Sequence, residues 1–296
     1  MAYQRKVFGA SMLLLVAGAA QASTIVVDHF EAPSSSATPN TWYQSDIRGA
    51  GTADTVDLSG AGGNLEAGQP SGPGAAEVTT GSNNADKAEV ATYNNFGSVA
   101  DVLSSWNFSY DYYKASGAGD AAAAPSLKLN LYNSNCGSGD CYGSLVYEPY
   151  WNQGTGGAGT VPADAWQNVN VTTDTGSGSD QSGGWWWSGG FGQSNSAGGP
   201  PLQSLSEWLA HFKSSDPADI DGASVVGIAL GIGTYNPDTT GYFDNVSYTD
   251  GSGNTTTFDF QPARANAVPE PSALLMLLGG VLLVGTGAAV RRRRLG

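Results

Sequence analysis

The chain has 296 residues, with 12 Lys and Arg against 26 Asp and Glu, a formal net charge of −14, and 42 glycines. So acidic a chain repels nucleic acid and anionic lipid, and it suits cations or neutral partners such as uncharged glycans. Two cysteines, with both histidines (His29 and His211) remote from them in sequence, do not make a zinc centre.

At the N-terminus Arg5 and Lys6 precede an apolar run over residues 7–20, and Ala20-Gln21-Ala22 forms an A-x-A cleavage site. Together they read as a signal peptide over residues 1–22, so the mature chain is exported and begins near Ser23. Between residues 23 and 267 there are 6 basic side chains against 25 acidic ones. That length suits one large β domain or two small ones; the Gly/Ser stretches 154–159 and 175–184 read as loops, because strands resume on either side, and this favours a single domain over residues 23–260. Residues 261–267 then form a short tether.

Short apolar runs separated by Gly, Ser, Asn and Asp predict many strands joined by turns. Residues 24–31 open the domain with a β-branched strand, and residues 41–48 supply another. The Gly/Ala-rich stretch 49–74 reads as loop with a short strand at most. Residues 75–80 and 87–93 look like a strand pair across the turn 81–84. Over 106–114 the alternation is clear: Trp106, Phe108, Tyr110 and Tyr112 share one face, and Asn107, Ser109 and Asp111 the other. Leu127, Leu129 and Leu131 repeat that pattern. Residues 143–151, 167–174, 224–233, 241–249 and 255–260 complete about nine to eleven strands. One helix is expected, where Leu202, Leu205, Trp208, Leu209 and Phe212 recur at helical spacing with Ser204 as cap; its stripe reads as core packing. Cys136 and Cys141, in an exported chain, predict a disulfide closing a short loop.

Three groups of residues could carry function. Trp185, Trp186 and Trp187 stand together among glycines, and on a strand at least one of them faces outward, where its ring could stack on a sugar. Tyr147, Tyr150 and Trp151 supply a second aromatic cluster. Both clusters have a plain alternative, burial in the core. Enzymatic machinery is hard to find. His29 and His211 read as structural, and among the carboxylates Glu148, beside Tyr147, Tyr150 and Trp151, is the best single candidate for glycoside cleavage. The expectation is a protein that is not an enzyme.

The opening Asp28-His29-Phe30-Glu31 and the later Tyr242-Phe243-Asp244-Asn245-Val246 are together similar to jelly-roll carbohydrate-binding modules of the galactose-binding-like type. The resemblance implies a jelly-roll β-sandwich with one short helix. It also implies a structural Ca²⁺ shared by Glu31 and Asp244, with Asp28 as an alternate ligand; carboxylates and backbone carbonyls of adjacent strands suit that hard cation. Otherwise Asp244 caps a loop and binds no metal.

At the C-terminus, Val268-Pro269-Glu270-Pro271 precedes an uncharged apolar span over residues 272–290, followed by Arg291, Arg292, Arg293 and Arg294. As a helix the span is roughly 28 Å long, close to a bilayer's hydrocarbon thickness, and the arginines mark the cytoplasmic side. The prolines stop a helix from entering the span from upstream. A Pro-Glu-Pro motif, an apolar span and a terminal Arg cluster over residues 268–296 resemble the PEP-CTERM sorting signal of Gram-negative bacteria. The resemblance implies an exosortase-type partner that cuts near the motif, a transient membrane helix, and a final place at the cell surface or in the extracellular matrix. The expected function is glycan binding there; the alternatives are a structural or adhesive surface protein, calcium-stabilised or not, and a polysaccharide-active enzyme.

Overall fold

A computed structural model describes residues 20–117, 122–137, 139–153, 159–176, 184–194, 201–215 and 217–263. In chain order the strands are β1 (Ala22–Val27), β2 (Trp42–Arg48), β3 (Thr52–Asp57), β4 (Gly74–Thr79), β5 (Lys87–Ser98), β6 (Asn107–Lys114) and β7 (Ser126–Tyr132). They continue as β8 (Tyr142–Tyr147), β9 (Trp166–Val171), β10 (Trp185–Trp187), β11 (Ser224–Ile232), β12 (Thr240–Thr249) and β13 (Thr255–Phe260). The helices are α1 (Gly63–Ala67), α2 (Val99–Ser105), α3 (Leu205–Ser215) and α4 (Pro217–Asp221), with a 3-10 turn at Pro149–Asn152.

The strands form two sheets, making a jelly-roll-like β-sandwich. The six-stranded sheet runs β10-β8-β7-β11-β5-β2, antiparallel at every pairing. In the seven-stranded sheet β12 is central. On one side it pairs β6, which pairs β9; its other side is shared, β4 along Thr240–Phe243 and β13 along Val246–Thr249. β3 adds to β4 antiparallel, and β1 adds to β13 parallel. The expected alternation is what fills the space between the sheets. Phe108, Tyr110 and Tyr112 of β6 join Leu127, Leu129 and Leu131 of β7, Leu145 of β8 and Ile228, Leu230 and Ile232 of β11 in one core. Trp42 packs edge-on against Phe258 and Phe260, with centroids 5.3 and 5.1 Å away. Each such side chain contributes about 1.5–3 kcal/mol by burial.

Several local readings change. The short strand allowed in the stretch 49–74 is β3, whose Ala53 and Thr55 are buried although neither is a strong apolar signal. β4 and β5 do not make a hairpin; they belong to opposite sheets. Residues 80–86 cross between sheets beside the β11–β12 connection, which crosses in the opposite direction. Thr80 N donates to Thr239 O (2.9 Å), Asp238 N to Gly81 O (2.8 Å) and Tyr235 N to Asn84 O (2.7 Å).

The expected helix is α3, with Leu205, Trp208, Leu209 and Phe212 buried. Its start is a capping box: Glu207 N donates to Ser204 Oγ (3.2 Å), and Ser204 N donates to Glu207 Oε2 (2.9 Å). It is not the single helix expected. α2 has its own cap, Asp101 N donating to Ser98 Oγ (3.1 Å), and buries Val99, Val102 and Leu103 against α3 and β5. The Cys136–Cys141 disulfide forms and closes the β7–β8 connection.

This compact unit ends at Pro262. The signal-peptide reading falls almost wholly outside the described residues, as do the sorting motif Val268–Pro271 (268–271), the span 272–290 and Arg291–Arg294 (291–294). No helix among the described residues is long and apolar enough to cross a membrane.

Candidate functional site: a cleft on the outer face of the six-stranded sheet

Alternation that sends leucines inward sends a second set of side chains outward. Trp186, Val146, Lys128, Ala229, Ala91 and Tyr43 form one row across the strands β10, β8, β7, β11, β5 and β2. Ser126, Gly231, Glu89 and Asp46 form the neighbouring row. Over these rows lies a cleft of about 780 Å³. Trp186, Tyr150 and Trp151 line it on the β10 side, Asp46 and Arg48 on the β2 side, and Tyr235 reaches it from the β11–β12 corner. Small residues hold the central strand low. A Cβ added to Gly231 would sit 2.2 Å from the Ala88 carbonyl oxygen, so only glycine fits there.

A continuous ladder of ion pairs runs over the low strand. Lys128 Nζ binds Glu89 Oε2, reaching from β7 to β5. Lys87 Nζ lies 3.2 Å from Glu89 Oε2 and 2.7 Å from Asp46 Oδ2. Arg48 grips Asp46 with two donors, Nε and Nη2, each at 2.6 Å. Burial works to raise the Glu89 carboxyl, but the Lys128 and Lys87 ammoniums outweigh it and hold the group below its ordinary range. Asp46 is likewise held low, burial being offset by Arg48 and Lys87. Burial works to lower Lys87, and Glu89 and Asp46 reverse it.

Glu148 behaves oppositely. Burial pushes its carboxyl up, with Lys128 and the Trp186 and Trp151 indoles pulling back less strongly. Trp186 Nε1 is buried beside it and falls short of hydrogen-bond geometry to any group.

The predicted aromatic residues divide by strand parity. Trp186, Tyr150 and Trp151 meet at the cleft, the last two with rings 4.9 Å apart. Trp185 and Trp187 are 0% exposed and face inward, and Tyr147 is 7% exposed. Trp185 packs on Tyr147 and Phe108 (5.5 and 6.4 Å), and Trp187 on Phe212 (4.9 Å). These three are core side chains, so no sugar can stack on them. Tyr142 and Tyr235, 50% and 74% exposed, line the cleft and carried no sequence signal of their own. The ladder was also missed. Its signal was scarcity: three of the few basic residues, Arg48, Lys87 and Lys128, sit on strands whose alternate residues are apolar.

The two residues expected to share a calcium ion have different partners. Glu31 is half exposed, and its Oε1 lies 3.0 Å from His29 Nε2, while Asp28 lies 2.5 Å from His29 Nδ1. Asp244 is wholly buried where β12 changes partner from β4 to β13. Its Oδ1 accepts the Phe260 N–H at 2.9 Å, and its Oδ2 makes no hydrogen bond among the described residues. Burial pushes this carboxyl up to about 8, with Asp259 and Asp111 adding to the push and the Phe260 and Asn245 amides opposing it. Among the described residues no three His, Cys, Asp or Glu side chains converge as a metal site. The orphaned Oδ2 of Asp244 suits a hard cation, while Glu31 Oε1 is turned to His29.

Neither histidine reaches the cleft: His29 is at the surface with Asp28 and Glu31, and His211 rests on Trp208 and Phe212 of α3.

No family model matches the sequence, and no curated protein matches it. Among solved structures, the chain is similar to a family 11 carbohydrate-binding module from Clostridium thermocellum in complex with a β-1,3-1,4-mixed-linked tetrasaccharide. Identity is 13% and the TM-score 0.36, over 80% of this chain and 99% of that one. It is similar to a putative sugar binding protein from Bacteroides thetaiotaomicron, with 12% identity and a TM-score of 0.36 over 79% and 95%. It is also similar to an endo-β-1,4-glucuronan lyase from Trichoderma reesei, with 12% identity and a TM-score of 0.35 over 71% and 95%. Likenesses this distant carry no argument about the cleft, which rests on its own residues.

Proposed function

We propose that the chain is a glycan-binding protein without enzymatic activity, which lays a polysaccharide along the cleft of the six-stranded sheet. One observation carries the reading. Of three adjacent tryptophans only Trp186 turns outward, and it does so beside Trp151 and Tyr150 at the end of a cleft of about 780 Å³ that holds the ion-pair ladder. Aromatic faces take the C–H surface of a sugar ring, and the ladder beside them supplies fixed donors and acceptors for its hydroxyls. The test is affinity electrophoresis of the full-length chain in mild detergent through gels that contain polysaccharide. Retardation that disappears in Trp186→Ala supports the reading; no retardation with any polysaccharide refutes it.

One observation favours a polysaccharide-active enzyme instead: Glu148 is a carboxyl of raised pKa in the cleft, while Glu89 is held ionised. Release of reducing ends, lost in Glu148→Gln, would establish that activity. The buried, half-satisfied Asp244 favours a calcium-stabilised structural or adhesive protein, a role compatible with the cleft.

The terminal segments support a route for the chain. It is exported by its signal peptide, held briefly in the membrane by the apolar span 272–290, and released by an exosortase-type enzyme near Val268-Pro269-Glu270-Pro271. It then works at the cell surface or in the extracellular matrix of a Gram-negative bacterium. Intact mass of the mature protein tests this: loss of residues 1–22 and of Arg291–Arg294 (291–294) is expected, and retention of the arginines contradicts it.

A further inference from the structure

The charges in the cleft say more than that it is polar. Arg48, Lys87 and Lys128 are all in it, each paired: the three cations share two carboxylates, Glu89 and Asp46, and Glu148 is the third carboxyl of the lining. Lys128 is held by Glu89, Lys87 by Glu89 and Asp46, and Arg48 by both oxygens of Asp46. Among the described lining residues the one carboxyl with no cation in salt-bridge contact is Glu148, at the aromatic end. A uronate or sulfate group entering here meets only cations already shared by Glu89 and Asp46, and it meets Glu148 at the far wall. It would also approach through the field of residues 23–267, with 25 acidic and 6 basic side chains.

A sugar hydroxyl is different. It donates and accepts at once, and a ladder alternating ammonium or guanidinium with carboxylate offers both to neighbouring hydroxyls without giving up a pair. The lining runs from Trp186 on β10 to Arg48 on β2, the two edge strands of the sheet. Five strand spacings of about 4.8 Å make roughly 24 Å, the length of about four or five linked pyranose units.

Resting on the glycan-binding reading, we infer that the cleft takes an uncharged polysaccharide segment of that length, laid across the strands. The ion-pair ladder reads its hydroxyls, and the cleft rejects acidic glycans.

The experiment titrates the full-length chain in mild detergent with two groups of probes. The neutral ones are galactomannan, xyloglucan and laminarin; the acidic ones are alginate and polygalacturonate. Each is run at low and high salt, with Trp186→Ala and Arg48→Gln variants whose melting curves are recorded. The inference expects binding within the neutral group alone, unchanged by salt, weakened about tenfold or more by Trp186→Ala and several-fold by Arg48→Gln. Neutral oligosaccharides of increasing length should gain affinity until they fill the cleft and then level off. Preference for an acidic glycan, lost with salt but still dependent on Trp186, overturns the uncharged class and leaves the cleft reading standing. Absence of binding to every probe, or binding indifferent to Trp186→Ala, overturns the cleft reading and this inference with it.

Discussion

Lys128 and Glu89 meet across a strand to which neither belongs. Lys128 projects from β7 and Glu89 from β5, and β11 runs between them with Ala229 and Gly231 at the facing positions. The pair forms because nothing larger stands between. Both groups are largely buried, so removing one leaves an uncompensated charge. Glu89→Gln should cost about 3–5 kcal/mol, measured by urea unfolding. Replacing both partners, Lys128→Met with Glu89→Leu, leaves Lys87 paired with Asp46 and should recover much of that loss while abolishing glycan retardation. A double variant that folds and still binds would separate the ladder from recognition.

Asp244 predicts a pH dependence of the opposite sense to that of Glu89. Its carboxyl is raised to about 8 from an ordinary 3.8, so between those values the folded state holds a proton that the unfolded state has released. Its contribution is therefore complete below pH 4 and is lost as pH rises toward 8, at up to ~1.4 kcal/mol per pH unit. Glu89 is held below its ordinary value, so its contribution is present above pH 4.5 and is lost on acidification. Thermal unfolding across this range should show falling stability from pH 4 to 8 in the native chain, and a flatter profile in Asp244→Asn. Calcium should flatten the native profile too, because a cation at Oδ2 keeps the carboxylate ionised. A native profile identical with calcium and with chelator rules out a cation at Asp244.

The tryptophan triplet predicts a sharp contrast between neighbours. Trp185 is fully buried against Tyr147 and Phe108, and its carbonyl accepts the Trp208 indole N–H at 2.8 Å. Trp185→Ala should cost about 3–5 kcal/mol. Trp186→Ala should change the melting temperature little and remove binding. Equal destabilisation by the two would mean that the strand does not alternate as described.

The disulfide offers a smaller effect. Cys136 and Cys141 are five residues apart, and closing so short a loop is worth about 2 kcal/mol in the chain-entropy model. Cys136→Ser with Cys141→Ser should lower stability by that amount and leave the cleft, which neither residue lines, able to bind.

Much of this fold was legible where one strand carries its own signal. The alternation of Trp106 to Tyr112, the leucines of β7 and the helical stripe from Leu205 to Phe212 each state which face is buried without reference to any partner. What could not be read depends on partners. β3 is a strand because β4 lies beside it, and its Ala53 and Thr55 carry no strong preference. The turn at residues 81–84 looks like a hairpin locally, but Thr80 bonds Thr239 and the chain crosses to the other sheet. The site divides the same way. That one tryptophan of three must face outward follows from the two-residue period of a strand; that it is Trp186 follows from its register with Val146, which no local pattern gives. The ladder is the extreme case, since Asp46, Glu89 and Lys128 become neighbours only through the pairing of four strands.

The central claim is that the outer face of the six-stranded sheet holds a glycan through Trp186. Affinity electrophoresis of the full-length chain and Trp186→Ala, side by side through neutral polysaccharide gels, tests it most directly. Retardation of the native chain with free migration of an equally stable variant is the predicted result; equal migration of the two in every gel would contradict it.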